Sequence, residues 1–562
     1  MADGFDRTTN LRRLADERFD VLVVGGGITG AGVALDAASR GLRTALIERD
    51  DFASGTSSKS SKLVHGGLRY LQNGDIKLVY EALAERQRLR KNAPHLVKIL
   101  PFLIPIFSKD GLINSKIARA MGTAMWMYDL TGGARIGKIH KRLNREQAVE
   151  YMPLLPAERL AAAYLYYDAQ TDDARLTLTI TRTAALEFDA VIANGCRVTG
   201  FAKDDRGHVS GAMVEADGNA FAINAASVVN ATGVWADDVR AFDEGRHPDS
   251  IRPAKGIHIT VPWSKVQNRI AVVIPVPKDR RSVFVVPWGG TDGDYEFTYI
   301  GTTDTDYEGS LDDPQCEPGD IEYLLKAINF SVTSTLTQAD ILGTWAGLRP
   351  LVKSATSGRT ADLSRNHRVA RSPSDLISIT GGKLTTYREM AADTVDEVID
   401  VLGRAATKHA SRRSRTKKLH LRGADGYESA RTSAGSDETL LHLLDRYGDE
   451  ALAVLALADS EPALRAPLVP GLPYIKAEAV YAARHEMARS IDDVLTRRTR
   501  ARLLARDATA AAAADIAALL APELGWDDTE QATQVAHYQD LITRERTVAH
   551  LPETAFEAAI GQ

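Results

Sequence analysis

Near the amino terminus the chain reads Phe19-Asp20-Val21-Leu22-Val23-Val24, followed by Gly25-Gly26-Gly27-Ile28-Thr29-Gly30. An apolar strand runs straight into a glycine turn, a helix of small residues follows, and Thr44-Ala45-Leu46-Ile47 leads to Glu48. This order constrains the fold to a βαβ unit of the kind that holds a dinucleotide pyrophosphate. Gly25 permits the tight turn, Gly27 lets the backbone approach the phosphates, and Gly30 lets the helix pack close to the strand. The first helical N–H groups, with the positive end of the helix dipole behind them, then face the phosphates. Gly41, after Ser39-Arg40, reads as a helix stop where a positive φ is wanted. A carboxylate at Glu48 accepts from both ribose hydroxyls and repels a 2′-phosphate, which disfavours NADP. The pattern itself does not separate FAD from NAD.

A chain of 562 residues is too long for one small core, so roughly two to four domains are expected. With 44% hydrophobic and 25% charged residues the chain belongs among globular proteins. A net charge of −5 gives no reason to expect nucleic acid as the main partner. Cys196 and Cys316 cannot build a disulfide framework or a metal cluster, and they suit a reducing cytosol. No run of about 18 apolar residues predicts a membrane span, and Met1 to Glu17 lacks the apolar core of a signal peptide. The stretch Ile99 to Phe107 carries Pro101 and Pro105, which argue against a helix. A buried or edge strand is expected there, with a membrane-touching loop as the alternative.

Helical patterns run from Arg69 to Arg90 and from Asp173 to Ala185. Cys196 to Ala226 alternates like short strands, with turns at Asp204 to Gly207 and Ala216 to Asn219. Residues 251–305 are β-branched and aromatic, which predicts a second sheet. The basic run Lys408 to Lys418 reads as a solvated linker, with attraction to an anionic membrane as its functional alternative. Beyond Leu419 the chain is Ala-rich and helical, most clearly over 447–458, 477–504 and 508–520.

Glycine turns recur at strand ends at Thr232-Gly233 and Gly381-Gly382. Three such turns suggest one cofactor domain assembled from distant segments, which tilts the choice toward FAD. Ser57 to Tyr70, with hydroxyls at Ser57, Ser58, Ser60 and Ser61 and cations at Lys59 and Lys62, offers donors to phosphates, flavin edges or an anionic substrate. A solvated Ser-rich loop is the alternative, and His65 alone is a weak candidate. Arg349, between Leu348 and Pro350, can present its planar fork to an oxyanion. Lys383 follows two glycines at a helix start, where a cation is unfavourable unless an anionic group offsets it. His258 lies on an apolar strand, where a satisfied core histidine competes with a base. His485-Glu486 lacks the second histidine of a zinc helix, so no metal site is expected.

In order along the chain, SSKLVHGGLRYL, NATGVWA, KGIHITV, IGTTDTDY, GLRPL, TGGKLTTYREMA and YAARHEMARSIDDVLTRRTR resemble the FAD-dependent glycerol-3-phosphate dehydrogenases over nearly the whole length. The resemblance implies the glycine/D-amino-acid oxidase structural class: an α/β Rossmann-like FAD-binding domain, discontinuous, an α+β substrate domain, and a carboxy-terminal all-helical domain. The expected FAD-binding parts are 18–92, 196–250 and 340–405, with the substrate domain over 93–195 and 251–339. A basic linker at 406–420 and a helical domain at 421–562 complete the expectation.

The implied reaction oxidises sn-glycerol 3-phosphate to dihydroxyacetone phosphate and passes electrons from FAD to a membrane quinone. The implied location is the inner face of the cell membrane, held peripherally from the cytoplasm. By motif match, Arg69, Tyr70, Arg349 and Arg365 surround the substrate, with His258 and Lys383 nearby; Arg359 is the alternative to Arg365. His258, with a pKa near neutrality, is the expected base, Arg349 steadies the alkoxide, and Lys383 faces the flavin N1–C2=O edge. Besides Gly25, Gly27, Ile28, Thr29, Gly30 and Glu48, the implied FAD contacts are Arg49, Thr56, Ser57, Ser60, Lys62 and Leu63. Thr232, Gly233, Thr303, Asp304, Gly382, Lys383, Leu384 and Thr385 complete them. An oxidase that releases peroxide and a non-catalytic flavin-binding protein stay open as alternatives, and a homodimer is among the arrangements left open.

Overall fold

The computed structural model describes residues 4–68, 75–107, 115–279, 281–289, 295–353 and 367–556. The apolar run Val21–Val24 is a fully buried strand at the centre of a six-stranded sheet. Thr44–Ile47 and Val228–Asn230 flank it in parallel, and Val191–Ala193 and Ile377–Thr380 lie outside them, also in parallel. Arg368–Arg371 closes one edge antiparallel. Strands covered on both faces read as continuous Val/Ile/Leu runs, and these do. Gly25 takes φ +110°, and the helix Ile28–Ser39 starts immediately after the turn. A Cβ on Gly30 would sit 1.8 Å from the Gly25 carbonyl oxygen, so this helix can pack on its strand only with glycine there. Gly41 takes φ +97° just past the helix, as its sequence context predicts.

A second, larger sheet carries Ile251–Pro262 between Phe297–Gly301 and Gly343–Val352, both antiparallel to it. It continues through Ser282–Trp288 and Ala271–Pro275 to Lys98–Phe107 and Leu160–Gln170. The Pro101/Pro105 stretch is therefore a buried strand of this sheet, paired with Leu160–Gln170 and with Ala271–Pro275. Cys196–Lys203, Val209–Ala216 and Asn219–Ala225 form a small antiparallel meander with turns where the sequence places them.

Two domain boundaries need correction. Asp173–Phe188 and Val191–Ala193, expected in the substrate domain, belong to the nucleotide-binding layer. The helix buries Leu176, Ile180 and Ala184 in the same core as Val21 and Val33, and the strand pairs with Thr44–Ile47. Gly343–Val352, expected in the FAD-binding domain, pairs along its whole length with Ile251–Pro262 in the substrate sheet. In both cases short apolar strands look alike in sequence, and the partner strand decides the sheet.

The basic side chains of the linker, Lys408, Arg412, Arg413, Arg415, Lys417 and Lys418, are exposed, while its backbone and hydroxyls dock on the dinucleotide helix. The Ser411 N–H donates to the Arg40 carbonyl at 2.7 Å, and Arg415 reaches the Ser39 carbonyl at 3.3 Å. Ser414 Oγ donates to the buried Asp36 at 2.5 Å. The helical tail begins as expected, but 477–504 is not one helix. It breaks after Lys476–His485, forms a wide turn over Asp493–Arg498 and resumes at Ala501–Leu504. Met487 and Arg500 take positive φ in the breaks. The substitution Gly30→Val is expected to destabilise the protein by about 1–3 kcal/mol or more by overpacking. Thermal unfolding followed with the flavin spectrum should show a lower Tm and early cofactor loss.

Candidate active site

A cavity of about 510 Å³ runs between the two sheets. One end is walled by Gly25, Gly27 and Glu48, the other by His65, His258, Arg349 and Lys383. Strand ends of the parallel sheet supply the first set, where an open α/β sheet takes its ligand. Strands of the large sheet supply His258 and Arg349.

At the first end Glu48 is half-buried, and its Oε2 accepts from the Gly26 N–H at 2.6 Å while Oε1 accepts from the Asp50 N–H at 2.9 Å. Burial dominates these hydrogen bonds and pushes the carboxyl up to about 7. Each oxygen keeps a second lone pair for a ribose hydroxyl. The Ile28 N–H donates to Ser57 Oγ at 2.9 Å, which ties the helix start to the Ser-rich loop. Arg49 lies 4.9 Å over the Trp235 ring, and both reach Asp312, at 2.8 and 3.0 Å.

At the second end His258 sits in register between Gly301 on one strand and Trp345 on the other. Its ring stacks on Trp345 with centroids 4.7 Å and planes 8° apart. A Cβ on Gly301 would lie 2.0 Å from His258 Cδ2, so the space over that glycine is what seats the imidazole. Nε2 contacts Ser61 Oγ at 2.9 Å, while Nδ1 is buried and makes no hydrogen bond among the described residues. The expectation of a near-neutral pKa is corrected here. Burial, then the charges of Lys62 and Arg349, push His258 well below the ordinary histidine range, so the ring is neutral.

Arg349 is held by Asp304 Oδ1 at 3.3 Å, Thr302 Oγ1 at 3.2 Å and the Thr303 carbonyl at 3.2 Å. Its guanidinium passes over Gly256, where a Cβ would come within 2.4 Å of Nη2. Lys383 precedes the short helix Leu384–Thr386 and lines the same wall.

Of the expected cofactor contacts, Arg49, Thr56, Ser57, Ser60, Leu63, Thr232 and Gly233 line the cavity, together with Ile28 and Thr29 and with Gly382, Leu384 and Thr385. Four expected cofactor contacts do not. Gly30 is buried under the strand, and Thr303 Oγ1 accepts from the Ile257 N–H at 3.1 Å. Asp304 faces Arg349. Lys62 turns away into a buried ion pair with Asp173 at 3.0 Å and lies 4.8 Å over the Trp345 ring. Arg69, Tyr70, Arg365 and its alternative Arg359 lie outside the described residues.

Sequence reasoning missed what holds this wall. Asp173 accepts from the Ser60 N–H at 3.0 Å, Ser60 Oγ at 2.7 Å and Lys62 Nζ at 3.0 Å, and also from Arg500 of the helical tail. Trp345 lies in no motif, and Ser61, Gly256 and Gly301 lie inside motifs that gave them no role toward His258 or Arg349. The pairing of Gly256 with Gly347 across two strands was the available signal.

The residues present fit FAD: a carboxylate for a ribose at one end, an open helix N-terminus between, and cations with a neutral imidazole at the other. Residues 20–388 match the FAD dependent oxidoreductase family, and residues 414–531 match the C-terminal domain of alpha-glycerophosphate oxidase. The chain is 39% identical to glycerol-3-phosphate dehydrogenase 2 of Mycobacterium bovis over 96% of this chain and 90% of that one. It superposes on the crystal structure of the glycerol-3-phosphate dehydrogenase from Bacillus halodurans complexed with FAD with a TM-score of 0.76, at 30% identity, covering 100% of this chain and 99% of that one. The FAD-bound L-alpha-glycerophosphate oxidase from Mycoplasma pneumoniae shares the fold at 19% identity, with a TM-score of 0.54 over 68% of this chain and 95% of that one. The chain thus belongs to the FAD-dependent oxidoreductases and, within them, to the glycerol-3-phosphate dehydrogenase family.

Two outcomes follow from the cavity's charges. Ribose hydroxyls donate to the Glu48 carboxylate and favour its charged form, so FAD binding should release a proton from a group held at about 7. The affinity of the apoprotein for FAD should therefore rise from pH 6 to pH 8, by up to about tenfold per pH unit below that value. Titration calorimetry in buffers of different ionisation enthalpy checks this, and Glu48→Gln should remove the pH dependence. Asp173→Ala leaves Lys62 and Arg500 buried without their carboxylate, and should cost about 3–5 kcal/mol in denaturant unfolding.

Proposed function

We propose that this protein oxidises sn-glycerol 3-phosphate to dihydroxyacetone phosphate and delivers the electrons to a quinone in the membrane. The observation that carries the substrate reading is the convergence of Arg349, neutral His258 and Lys383 on one end of the FAD cavity. The printed names of the relatives agree with it.

FAD, when bound, supplies the hydride acceptor for the hydrogen on C2. The chain's own task is to bind a phosphate dianion, hold C2 and take the proton of the C2 hydroxyl. Arg349, fixed by Thr302 and Asp304, offers a planar cation to the oxygen on C2 as it gains charge. His258 is neutral and so able to accept the hydroxyl proton, with Ser61 Oγ fixing one ring nitrogen. In the free protein it is a weak base. A dianionic substrate close to the ring raises its pKa and makes it a better one only when the substrate is present. Arg69, Tyr70 and Arg365 stay assigned to the substrate by their motifs, with Arg69 and Arg365 joining Arg349 at its phosphate. Lys383 is proposed to hold negative charge at the flavin edge.

The quinone, and action at the inner face of the cell membrane, belong to this reading as well. No helix among the described residues is long and apolar enough to cross a membrane, so the contact is proposed to be made by surface. Adding glycerol 3-phosphate anaerobically should bleach the flavin, and an unchanged spectrum would sink the substrate reading. A water-soluble quinone should then restore the colour faster than air does. Fast recovery in air with a matching yield of peroxide would instead make the protein an oxidase. Gly301→Ala should displace the imidazole and lower kcat by about 10²–10⁴-fold, the range of one general base, with FAD still bound.

A further inference from the structure

The loop 57–62 lines the cavity through Ser57, Lys59, Ser60 and Ser61, and three parts of the chain hold it. From the dinucleotide-binding layer, the Ile28 N–H bonds Ser57 Oγ, and Asp173 accepts from Ser60 and Lys62. From the large sheet, Trp345 Nε1 donates to the Ser60 carbonyl at 3.2 Å and the Tyr299 hydroxyl to the Ser61 carbonyl at 2.9 Å. A Cβ on Gly347 would sit 2.5 Å from the Lys59 carbonyl oxygen, so the loop lies directly on that strand. From the helical domain, Arg500 Nη1 donates to the Ser58 carbonyl at 3.3 Å.

Arg500 is fully buried and its whole fork is engaged. Besides Ser58, Nη1 reaches the Thr496 carbonyl at 3.0 Å, Nε reaches Asp172 Oδ1 at 3.0 Å, and Nη2 bonds Asp173. Its φ is +82°, a conformation that a bulky residue keeps only where its surroundings over-determine it. Buried ion pairs add little net stability, but a planar fork with several acceptors fixes angle as well as distance. What it fixes is the backbone three residues before Ser61.

The His258 ring needs that precision. Stacking on Trp345 sets the plane of the imidazole but tolerates a half-turn about χ2, which exchanges ring nitrogens with ring carbons. Nδ1 makes no hydrogen bond among the described residues, so the contact of Nε2 with Ser61 Oγ is what selects one of the two orientations.

We propose that Arg500 is a positioning residue for the oxidation step: through it the carboxy-terminal domain sets the loop 58–62, and so the Ser61 hydroxyl that orients His258. The inference rests on the reading of His258 as the base.

The test uses the full-length FAD-loaded protein. Glycine accepts a positive φ, so Arg500→Gly removes the guanidinium without a backbone penalty. The rate at which saturating glycerol 3-phosphate bleaches the flavin anaerobically should fall about 10–10²-fold, with the half-saturating concentration within about threefold of wild type. Millimolar guanidinium chloride should recover at least about tenfold of that loss, and sodium chloride none. The free ion has a way in, because Ser58 and Thr496 line a second cleft of about 800 Å³ that reaches the surface at the exposed Asp312 and Arg544. In protein with ¹⁵N-labelled histidine, the ring signals that His258→Asn removes should shift in Arg500→Gly and return with guanidinium. Wild-type bleaching by Arg500→Gly overturns the proposal. So does a loss that guanidinium leaves unchanged while the His258 signals stay in place, the mark of a merely structural role. Should Arg500→Gly not fold, Arg500→Lys carries the test. A charge without the fork should slow bleaching about three- to tenfold and shift the His258 signals, and wild-type behaviour overturns the proposal. The signals need no substrate, so the two readings separate. Signals that shift and return, in a protein whose wild type glycerol 3-phosphate does not bleach, keep the role of Arg500 and remove the substrate. Bleaching of wild type, with signals unmoved in the variants, does the opposite.

Discussion

One buried carboxylate, that of Asp173, joins the parts of this molecule that chemistry needs together. It is fully buried and opens the helix Asp173–Phe188, which packs on the dinucleotide helix. Its oxygens take the Ser60 N–H, the Ser60 hydroxyl, the Lys62 ammonium and the Arg500 guanidinium. A buried charge is costly unless every lone pair is used, and here cations from two other segments use them. Ser60 and Ser61 line the cavity, and Ser61 reaches His258. A residue of the carboxy-terminal domain, Arg500, is therefore one ion pair from the loop that seats the candidate base.

The same logic runs along the whole joint. Asp51, at the end of the first βαβ unit, is bonded by Arg497 at 2.6 Å and by Arg498 at 2.8 Å, and their charges overcome its burial and hold it below the usual carboxylate range. Arg175 pairs with Glu486 and Arg182 with Glu450, again across the joint. Taking so many guanidiniums out of water is worth little as net stability. Its effect is geometric, because planar forks fix angle as well as distance. It also explains the broken helix. A continuous helix from Ala477 to Leu504 would distribute Arg497, Arg498 and Arg500 around the barrel. The wide turn over Asp493–Arg498 and the positive φ of Arg500 bring all three to the face that meets Asp51, Asp172 and Asp173.

This is the part that could not be read from residues alone. Arginines spaced as Arg497-Arg498-Thr499-Arg500 look like a solvated face, and their partners lie hundreds of positions away in sequence. Lys62 was misplaced for the same reason: a lysine in a Ser-rich loop offers itself to phosphate until an acid from another segment claims it. By contrast, the strand, glycine turn and helix at Val21 to Ser39 were legible because every requirement there is local. His258 and Arg349 were legible as residues, through motifs, but not as a geometry. The register that aligns Gly301, His258 and Trp345 is set by pairing three strands. Sheet membership of Val191–Ala193 and Gly343–Val352 failed on the same point.

The cross-strand row also explains how a weak base suits the proposed reaction. The His258 ring lies over Gly301, against Trp345, with Ser61 on one nitrogen, so its position is set before any substrate arrives. Burial and two neighbouring cations keep it unprotonated. A histidine at the ordinary pKa would be partly cationic near neutral pH and so partly useless as a proton acceptor. Of the two cations, Arg349 lines the cavity, where it repels a proton yet attracts an anionic substrate. In the proposed reaction a bound dianion offsets that charge, and the ring gains basicity beside the C2 hydroxyl. The Arg349 charge that weakens His258 in the free protein is thus, in the proposed reaction, the one that draws in the partner which restores it.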